Sequence, residues 1–245
     1  MRHHRWLVAC AGTLALGLVQ CYNPDDYEPG RNTNDVLTLA PLDTSALADG
    51  QSQTAFRANI PADAQAGSRQ VVFSTSGATI AEATGSPATV DTVVVDSTGA
   101  ATIHVVSPLD SGAATVHAVA GGVTRVATIS FLPSLPDTIL LEPQPFAVVD
   151  TATSQVTITA MLRRVHAGGR VTSGRVVTFT ATAVGGGDPG TLGLATLSDS
   201  TGTVTIPYAP DSATAPGVIT ITAKTAGATP SDTAVGVTNI RLLTP

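Results

Sequence analysis

From Val36 onward, the chain shows short runs of Val, Ile, Leu, Phe and Thr, separated about every ten residues by clusters of Gly, Pro, Asp and Ser. Apolar and polar positions that alternate over four to eight residues are typical of half-buried strands, and no segment shows the period of an amphipathic helix. The pattern therefore predicts an all-β sandwich protein. The predicted strands are Gln70–Thr75, Thr89–Val95, Ala101–Val106, Ala113–Ala120, Thr124–Phe131, Val156–Leu162, Val176–Ala183, Thr203–Pro207 and Val218–Ala223.

Internal repetition divides this pattern into two units. Asp96–Ile103 (DSTGAATI) recurs as Asp199–Ile206 (DSTGTVTI), and Ala114–Ala118 recurs as Ile219–Ala223. With 43% hydrophobic but only 12% charged residues, the chain is apolar enough to fold, and its 245 residues allow two domains of about 100 residues each. The Asp-Ser-Thr-Gly sequence predicts a tight turn closing a hairpin, with Gly at positive φ. A calcium site there lacks the spaced acidic ligands that it would need.

A Pro-ended motif marks where these units begin. Asp35–Pro41 (DVLTLAP) recurs as Asp137–Pro143 (DTILLEP) and as Asn239–Pro245 (NIRLLTP), and each copy ends 102 residues after the previous one. We interpret the first two copies as opening strands, which predicts domains at 35–134 and 135–245. The third copy fits either a truncated further repeat or a strand that completes the second domain.

The first 34 residues predict export and a lipid anchor. Arg2 and Arg5 precede an apolar run that is too short to span a bilayer, so residues 1–20 are interpreted as a signal peptide. The run ends at Leu18-Val19-Gln20-Cys21, which resembles the lipobox of bacterial lipoproteins, although Gln20 stands where a small residue is usual. Cys21 is therefore the predicted lipidation site, and the polar residues 21–34 are a predicted flexible tether.

Cysteine content and charge support this interpretation. The only cysteines are Cys10, inside the leader, and Cys21, so the mature chain has no intramolecular disulfide. Removing Arg2 and Arg5 leaves 10 basic residues against the chain's 18 acidic ones, which does not favour binding to nucleic acid. Tyr22 follows Cys21 in place of the Asp that retains some lipoproteins at the inner membrane. The predicted location is the outer membrane or the cell surface.

The repeated units resemble group 1 bacterial immunoglobulin-like domains, the modules in the stalks of invasin and intimin adhesins. The resemblance covers both units and is carried by Ala48-Asp-Gly50, Val71–Gly77, the Asp-Ser-Thr-Gly turn with the strand after it, and Ser111–Gly122. It implies two tandem immunoglobulin-like β-sandwich domains that serve as a spacer or adhesive stalk.

Candidate chemistry is sparse. His104 and His117 lie on predicted strands where a pair could touch across one sheet, but no Cys or acidic cluster completes a metal site. No Gly-x-Ser-x-Gly elbow is present, and Gly185–Gly190 lacks the Lys of a phosphate loop, so it is interpreted as a long hairpin loop. We predict no catalytic residue and no cofactor. A hydrolase would need a deep pocket containing His104 or His166 with a Ser and a carboxylate.

One basic segment stands out in this acidic chain. Met161–Arg175 contains Arg163, Arg164, Arg170 and Arg175, which we predict to lie together on a hairpin. Arginine forks bind carboxylate and phosphate, so this segment is a candidate contact for lipopolysaccharide phosphates, acidic glycans or an acidic partner. The alternative is a solvated hairpin whose charges prevent aggregation. The first functional hypothesis is a non-catalytic, lipid-anchored spacer or adhesive module. The second is an accessory lipoprotein that binds a glycan or envelope protein through its loops.

Overall fold

The structure, a computed structural model, describes residues 36–244 except 62–63, 65–68, 86, 150, 152, 167, 212–213, 228 and 230–231. The predicted signal peptide, Cys21 and the predicted tether lie outside the described residues. Within the described part of the chain, no helix has the length and apolar character needed to cross a membrane.

The first domain is built from two sheets that enclose one core. One sheet has the strand order β1-β3-β7-β5 and the other β2-β9-β8-β4-β6. All pairings are antiparallel except β2 with β9, so the opening segment of the chain contributes one strand to each sheet. The strands are β1 Thr38–Pro41, β2 Ser45–Ala48, β3 Gln53–Asn59, β4 Gln70–Ser76, β5 Thr79–Ile80, β6 Val90–Val94, β7 Ala100–Val106, β8 Gly112–Ala120 and β9 Val123–Pro133.

The second domain repeats this plan with one strand fewer among the described residues. Its sheets have the orders β10-β12-β15-β14 and β11-β17-β16-β13, and β11 with β17 is the parallel pair. The strands are β10 Thr138–Gln144, β11 Ala147–Val149, β12 Val156–Arg163, β13 Thr178–Ala183, β14 Thr191–Leu192, β15 Thr203–Ala209, β16 Gly217–Ala226 and β17 Thr233–Leu243.

Each domain has its own hydrophobic core, made by the alternating inward residues of its strands. Phe56, Phe73 and Ile103 are fully buried in the first core, and Tyr208 and Ile221 in the second. Burying such a side chain contributes roughly 1.5–3 kcal/mol. The architecture confirms the predicted fold class of two tandem immunoglobulin-like β-sandwiches. The exact domain boundary, between residues 134 and 135, stays a prediction.

The third Pro-ended motif belongs to the second domain. Asn239–Leu243 is the end of β17, which pairs along its length with β16 and, through its last residues, with β11. Ile240 and Leu242 are buried in the second core. These residues therefore complete a domain rather than open one, which answers the question that the sequence left open.

The two Asp-Ser-Thr-Gly turns have matching geometry. Asp96 Oδ1 accepts bonds from the Thr98 N–H (2.8 Å), the Thr98 hydroxyl (2.6 Å) and the Ala100 N–H (3.0 Å). Asp199 accepts the equivalent three bonds at 2.8, 2.6 and 2.9 Å. Gly99 and Gly202 have φ of 83° and 77°, as the turn requires.

The predicted hairpin is wrong at Asp96 but not at Asp199, whose turn lies between β14 and β15, two antiparallel neighbours in one sheet. The Asp96 turn joins β6 to β7, which belong to different sheets of the sandwich. The same correction applies to Gly185–Gly190, because β13 and β14 also lie in different sheets. Alternation identifies a strand but does not say which sheet it joins.

Candidate functional site

The described residues that meet between the two domains form a polar junction made mostly of loops. Domain 2 contributes the segment 164–177, which connects β12 to β13. Domain 1 contributes the loops that follow β2 and β7, together with Ser134 just after β9. The predicted hairpin over Met161–Arg175 is therefore wrong, since β12 and β13 lie in different sheets and the segment between them crosses the end of the domain.

Thr172 is the central hydrogen-bonding residue of this junction. Its hydroxyl donates to the Ala48 carbonyl (2.8 Å) and accepts from the Ser134 N–H (2.6 Å). The Thr172 N–H in turn donates to the Ser134 carbonyl at 3.0 Å. Thr172 is 1% exposed and Ser134 0%, so these bonds form away from water, where an unmade bond costs about 1–3 kcal/mol.

Asp49 supplies the charge of the junction. Its carboxylate accepts bonds from the Gln51 N–H (3.0 Å), the Ser52 N–H and hydroxyl (both 2.7 Å) and the Ser107 hydroxyl (3.0 Å). Burial by itself raises the pKa of this carboxyl, but the hydrogen bonds from Ser52, Gln51 and Ser107 outweigh burial and hold the pKa below its ordinary value. Asp49 is thus a buried anion whose own loop stabilises its charge.

Domain 2 places a cation against this anion. The Arg164 guanidinium lies 3.5 Å from Asp49 Oδ2, and the two side chains are 9% and 6% exposed. Gly169 packs so tightly on Asp49 that an added Cβ would lie 2.7 Å from Oδ2. The Arg170 N–H donates to the Asp49 carbonyl at 3.1 Å. Three residues of one loop therefore contact a single residue of the other domain.

A second contact region widens the junction. The Ser173 N–H donates to the Leu109 carbonyl at 3.1 Å, and the Ser173 hydroxyl donates to the Asp110 carboxylate. The Ser134 hydroxyl donates to the Arg170 carbonyl at 2.7 Å. Because bonds at several separate points must break together, the junction resists bending more than a linker with a single contact would.

The four arginines singled out in the sequence do not form one surface. Arg163, Arg164 and Arg170 line a shallow open pocket of about 350 Å³ beside the junction. Arg164 in this group is paired with Asp49, and Arg170 Nη2 donates to the Ser200 carbonyl at 2.8 Å. Arg175 is not part of this pocket, and its Nε is buried without a hydrogen-bond partner among the described residues.

The histidines lie apart from one another. His104 is on β7 and His117 is on β8, in different sheets, so the predicted contact across one sheet is wrong. His104 Nδ1 contacts Glu82. Burial raises the pKa of Glu82, but the hydrogen bonds from His104 lower it by more, so the pKa lies below its ordinary value. His166 Nδ1 lies 3.2 Å from Asp137.

Asp137 closes the loop that contains His166. Its carboxylate accepts bonds from the Val165 and His166 N–H groups, both at 2.9 Å. These backbone bonds, that of His166 first, hold the pKa of Asp137 far below its ordinary value. Among the described residues, no group of three or more His, Cys, Asp or Glu could hold a metal ion.

Comparisons with known proteins concern the fold. No protein-family model matches the sequence, and no curated protein sequence matches it. Invasin is structurally similar over 86% of this chain, with a TM-score of 0.62 and 22% identity. The adhesin InvE of Yersinia pseudotuberculosis is similar over 86% of this chain, with a TM-score of 0.54 and 15% identity. The domains have the invasin-type immunoglobulin-like fold.

This invasin-type fold confirms the resemblance predicted from the repeated motifs. The chain spans 40% of the invasin structure and 59% of the InvE structure. In the sequence, Asp49 stands out only as part of the Ala48-Asp-Gly50 motif, and no pattern marks Thr172 or Ser134. Asp49 could have been suspected as an acid in a motif otherwise made of small residues, but an isolated Thr and Ser carry no such signal.

Proposed function

We propose that this chain is a non-catalytic, exported protein of the cell surface, held to the membrane by a lipid on Cys21, in which two immunoglobulin-like domains form a spacer or adhesive module. The observation that carries the proposal is the interdomain junction of Thr172, Ser134 and the Asp49–Arg164 ion pair. A spacer must hold its domains in a constant relation, and buried polar bonds at several points favour one arrangement over others.

The structural neighbours support the adhesive part of the proposal. Invasin is a bacterial integrin-binding protein, and InvE is an adhesin. Since the similarity is limited to the fold and the chain spans only part of each neighbour, we do not extend integrin binding to this chain. We propose the general class of surface module that these neighbours represent.

The spacer role is tested by the distribution of distances between the domains. Spin labels at Thr102→Cys and Thr205→Cys, two exposed strand positions, report this distribution in a Cys10→Ala, Cys21→Ser background. We expect a narrow distribution that broadens in Thr172→Val, because this substitution removes both hydroxyl bonds of the junction.

Thr75→Val is the matched control for this experiment. The Thr75 hydroxyl is also buried, but it has no partner among the described residues and lies inside domain 1. We expect this variant to keep the narrow distribution. A broad distribution in the unsubstituted protein would contradict the spacer role.

The anchor is tested separately by the intact mass of the protein extracted from membranes. We expect the chain to begin at Cys21 with attached acyl groups, to be cleaved by protease added to whole cells, and to leave the membrane fraction in Cys21→Ser. An unmodified, soluble native chain would refute the anchor and leave the junction proposal intact.

The pocket beside the junction favours a second candidate, an accessory lipoprotein that binds an anionic glycan or an envelope protein. Arg163 and Arg170 are both exposed at its rim. Binding to vesicles that contain lipopolysaccharide should weaken in Arg163→Gln/Arg170→Gln. It should change little in the control Arg57→Gln/Arg241→Gln, which removes the same charge elsewhere on the surface. Equal binding by both double variants would exclude this pocket as the contact.

A further inference from the structure

Among the described residues, the second domain lacks the strand that covers one sheet edge in the first. In domain 1, β6 pairs with β4 and forms the edge of the five-stranded sheet. β13 is the counterpart of β4, and among the described residues it pairs only with β16. One side of β13 therefore has no neighbouring strand in the described structure.

The missing strand has a cause in chain length. The Val95 N–H donates to the Arg69 carbonyl and the Ser198 N–H to the Arg175 carbonyl, both at 3.0 Å, so these positions correspond. In domain 1, fourteen residues, 81–94, lie between β5 and Val95. In domain 2, only five residues, 193–197, lie between β14 and Ser198. Gly193 stays bonded to β15 through the Pro207 carbonyl at 2.7 Å, and the remaining four residues are too few to cross over and run along β13.

The open side of β13 presents backbone groups in a pattern that the pairing defines. The Val184 N–H donates to the Val218 carbonyl, so the even-numbered residues of β13 bond to β16. The N–H and C=O groups of Phe179 and Ala181 then point to the open side, because successive residues of a strand face opposite neighbours. The corresponding group in domain 1, the Thr75 N–H, donates to the Thr89 carbonyl at 2.9 Å.

Apolar surface accompanies this open edge. Phe73 of β4 is fully buried, whereas its counterpart Phe179 is only partly buried. Four aliphatic side chains in the strand's flanks and in the short crossing are 61–94% exposed: Val176, Val184, Leu194 and Leu197. Natural edge strands use charged residues and proline to prevent pairing with other chains. The stretch 176–184 contains neither.

We propose that the open edge of β13 pairs with β13 of a second copy of this chain, in an antiparallel arrangement about a two-fold axis at Thr180. In this register Phe179 of each copy lies opposite Ala181 of the other, and the two residues exchange their free backbone hydrogen bonds. The result is one continuous sheet that runs through the second domains of both copies.

The sequence of β13 is complementary to itself in this register. On the outer face, Thr180 meets Thr180 and Thr178 meets Thr182, and Thr–Thr pairs stabilise neighbouring strands. On the inner face, the large Phe179 side chain lies beside the small Ala181. The copies have the same net negative charge, −6 for the full chain, so an uncharged strand is the surface on which they can approach without opposing like charges.

Self-association is measured by analytical ultracentrifugation of the exported chain carrying Cys21→Ser, which removes any acyl group. We expect the mass to rise from one copy to two between micromolar and millimolar concentrations. Thr180→Lys places two ammonium groups opposite each other and should weaken association about fivefold or more. Thr222→Lys, the neighbouring position on β16 on the same face, should leave association nearly unchanged.

Disulfide trapping tests the register. In a Cys10→Ala, Cys21→Ser background, Thr180→Cys would place two cysteines at a non-hydrogen-bonded position of the pair, where the Cα atoms lie about 4.5 Å apart and a disulfide can form. We expect a covalent dimer on mild oxidation of Thr180→Cys and little from Thr222→Cys. A chain that stays monomeric throughout the concentration range, or equal trapping at both positions, would overturn the proposal.

Discussion

At the scale of single residues, the junction depends on one buried acid and one glycine that makes room for it. Gly169 has a φ of 74° and lies against Asp49, while Gly168 has a φ of 68° and only the Gln51 side chain within reach, at 3.7 Å. Both positions favour glycine because of their backbone conformation. Only Gly169 also needs the absence of a Cβ for packing.

Alanine substitutions at these two glycines separate the energetic cost of lost packing from the cost of backbone strain. We expect Gly169→Ala to lower the free energy of unfolding by about 2 kcal/mol and to broaden the interdomain distance distribution, because the new methyl group displaces Asp49 from Arg164. Gly168→Ala should cost about 1 kcal/mol, from backbone strain alone. Urea unfolding of both variants gives the comparison. Equal losses would mean that the contact with Asp49 contributes little.

A second residue offers a gain in stability. The Thr75 hydroxyl is buried without a partner among the described residues, and an unsatisfied buried hydroxyl is unfavourable. Valine has the same shape and also suits a strand. We expect Thr75→Val to raise the free energy of unfolding by about 1 kcal/mol. A loss of stability would show that the hydroxyl has a partner such as an ordered water molecule.

At the scale of elements, the strands themselves were largely predictable from alternation. Each predicted strand lies on an observed one, because large aliphatic residues mark their buried faces. β3 was missed because its buried residues are Thr54, Phe56 and Ala58, of which only Phe56 gives a strong hydrophobic signal. The hairpin predictions that failed did so because a turn sequence fixes local geometry and leaves the choice of sheet to long-range packing.

The two Asp-Ser-Thr-Gly turns are elements whose local chemistry can be tested. Asp199 accepts three bonds within its turn, and the Thr201 hydroxyl bond is the first cause of its lowered pKa. We expect Asp199→Ala to lower the melting temperature of the second domain, since these bonds hold the connection to β15. Ser200→Ala, in the same turn, should lower the melting temperature less. Calorimetry distinguishes the two, and a larger effect at Ser200 would contradict this account.

At the scale of the whole molecule, the lowered carboxyl pKa values determine how stability responds to pH. Asp49 and Asp137 ionise at lower pH in the folded chain than in the unfolded one, whose carboxyls titrate near pH 4. Their contribution to stability is therefore complete above about pH 5 and is lost as pH falls through the folded-state pKa values. We expect urea midpoints to be constant from pH 7 to about 5 and to fall below about pH 4.

Asp137→Asn provides the control for this response. Asn keeps one acceptor oxygen, for either the Val165 or the His166 N–H, while its NH2 group faces the other N–H, and it does not titrate. The variant should be less stable than the natural chain at pH 7 and lose less stability on acidification. Parallel curves for the two proteins would show that Asp137 does not contribute to the acid response.

The candidate site was far less predictable than the fold. Arg164 and Asp49 are 115 positions apart in the sequence, and nothing in the local pattern of either residue indicates the other. A cluster of arginines in an acidic chain suggested an external anion, whereas the anion for Arg164 is internal. Pairing between domains depends on how two folded surfaces meet, which neither hydrophobic period nor turn chemistry encodes.

The unequal loops of the two domains have a consequence for the folding of adjacent, related modules. Neighbouring copies of one fold can exchange strands while they fold, and such mispaired states are a known hazard of tandem proteins. Here two residues connect β4 to β5, whereas seven connect β13 to β14. The connection that follows β5, in contrast, is longer than the one that follows β14. A strand that entered the wrong domain would bring a connection of the wrong length, so the mispaired chain could not close either sandwich. We expect this divergence in loop length to limit the exchange of strands between the two domains as they fold.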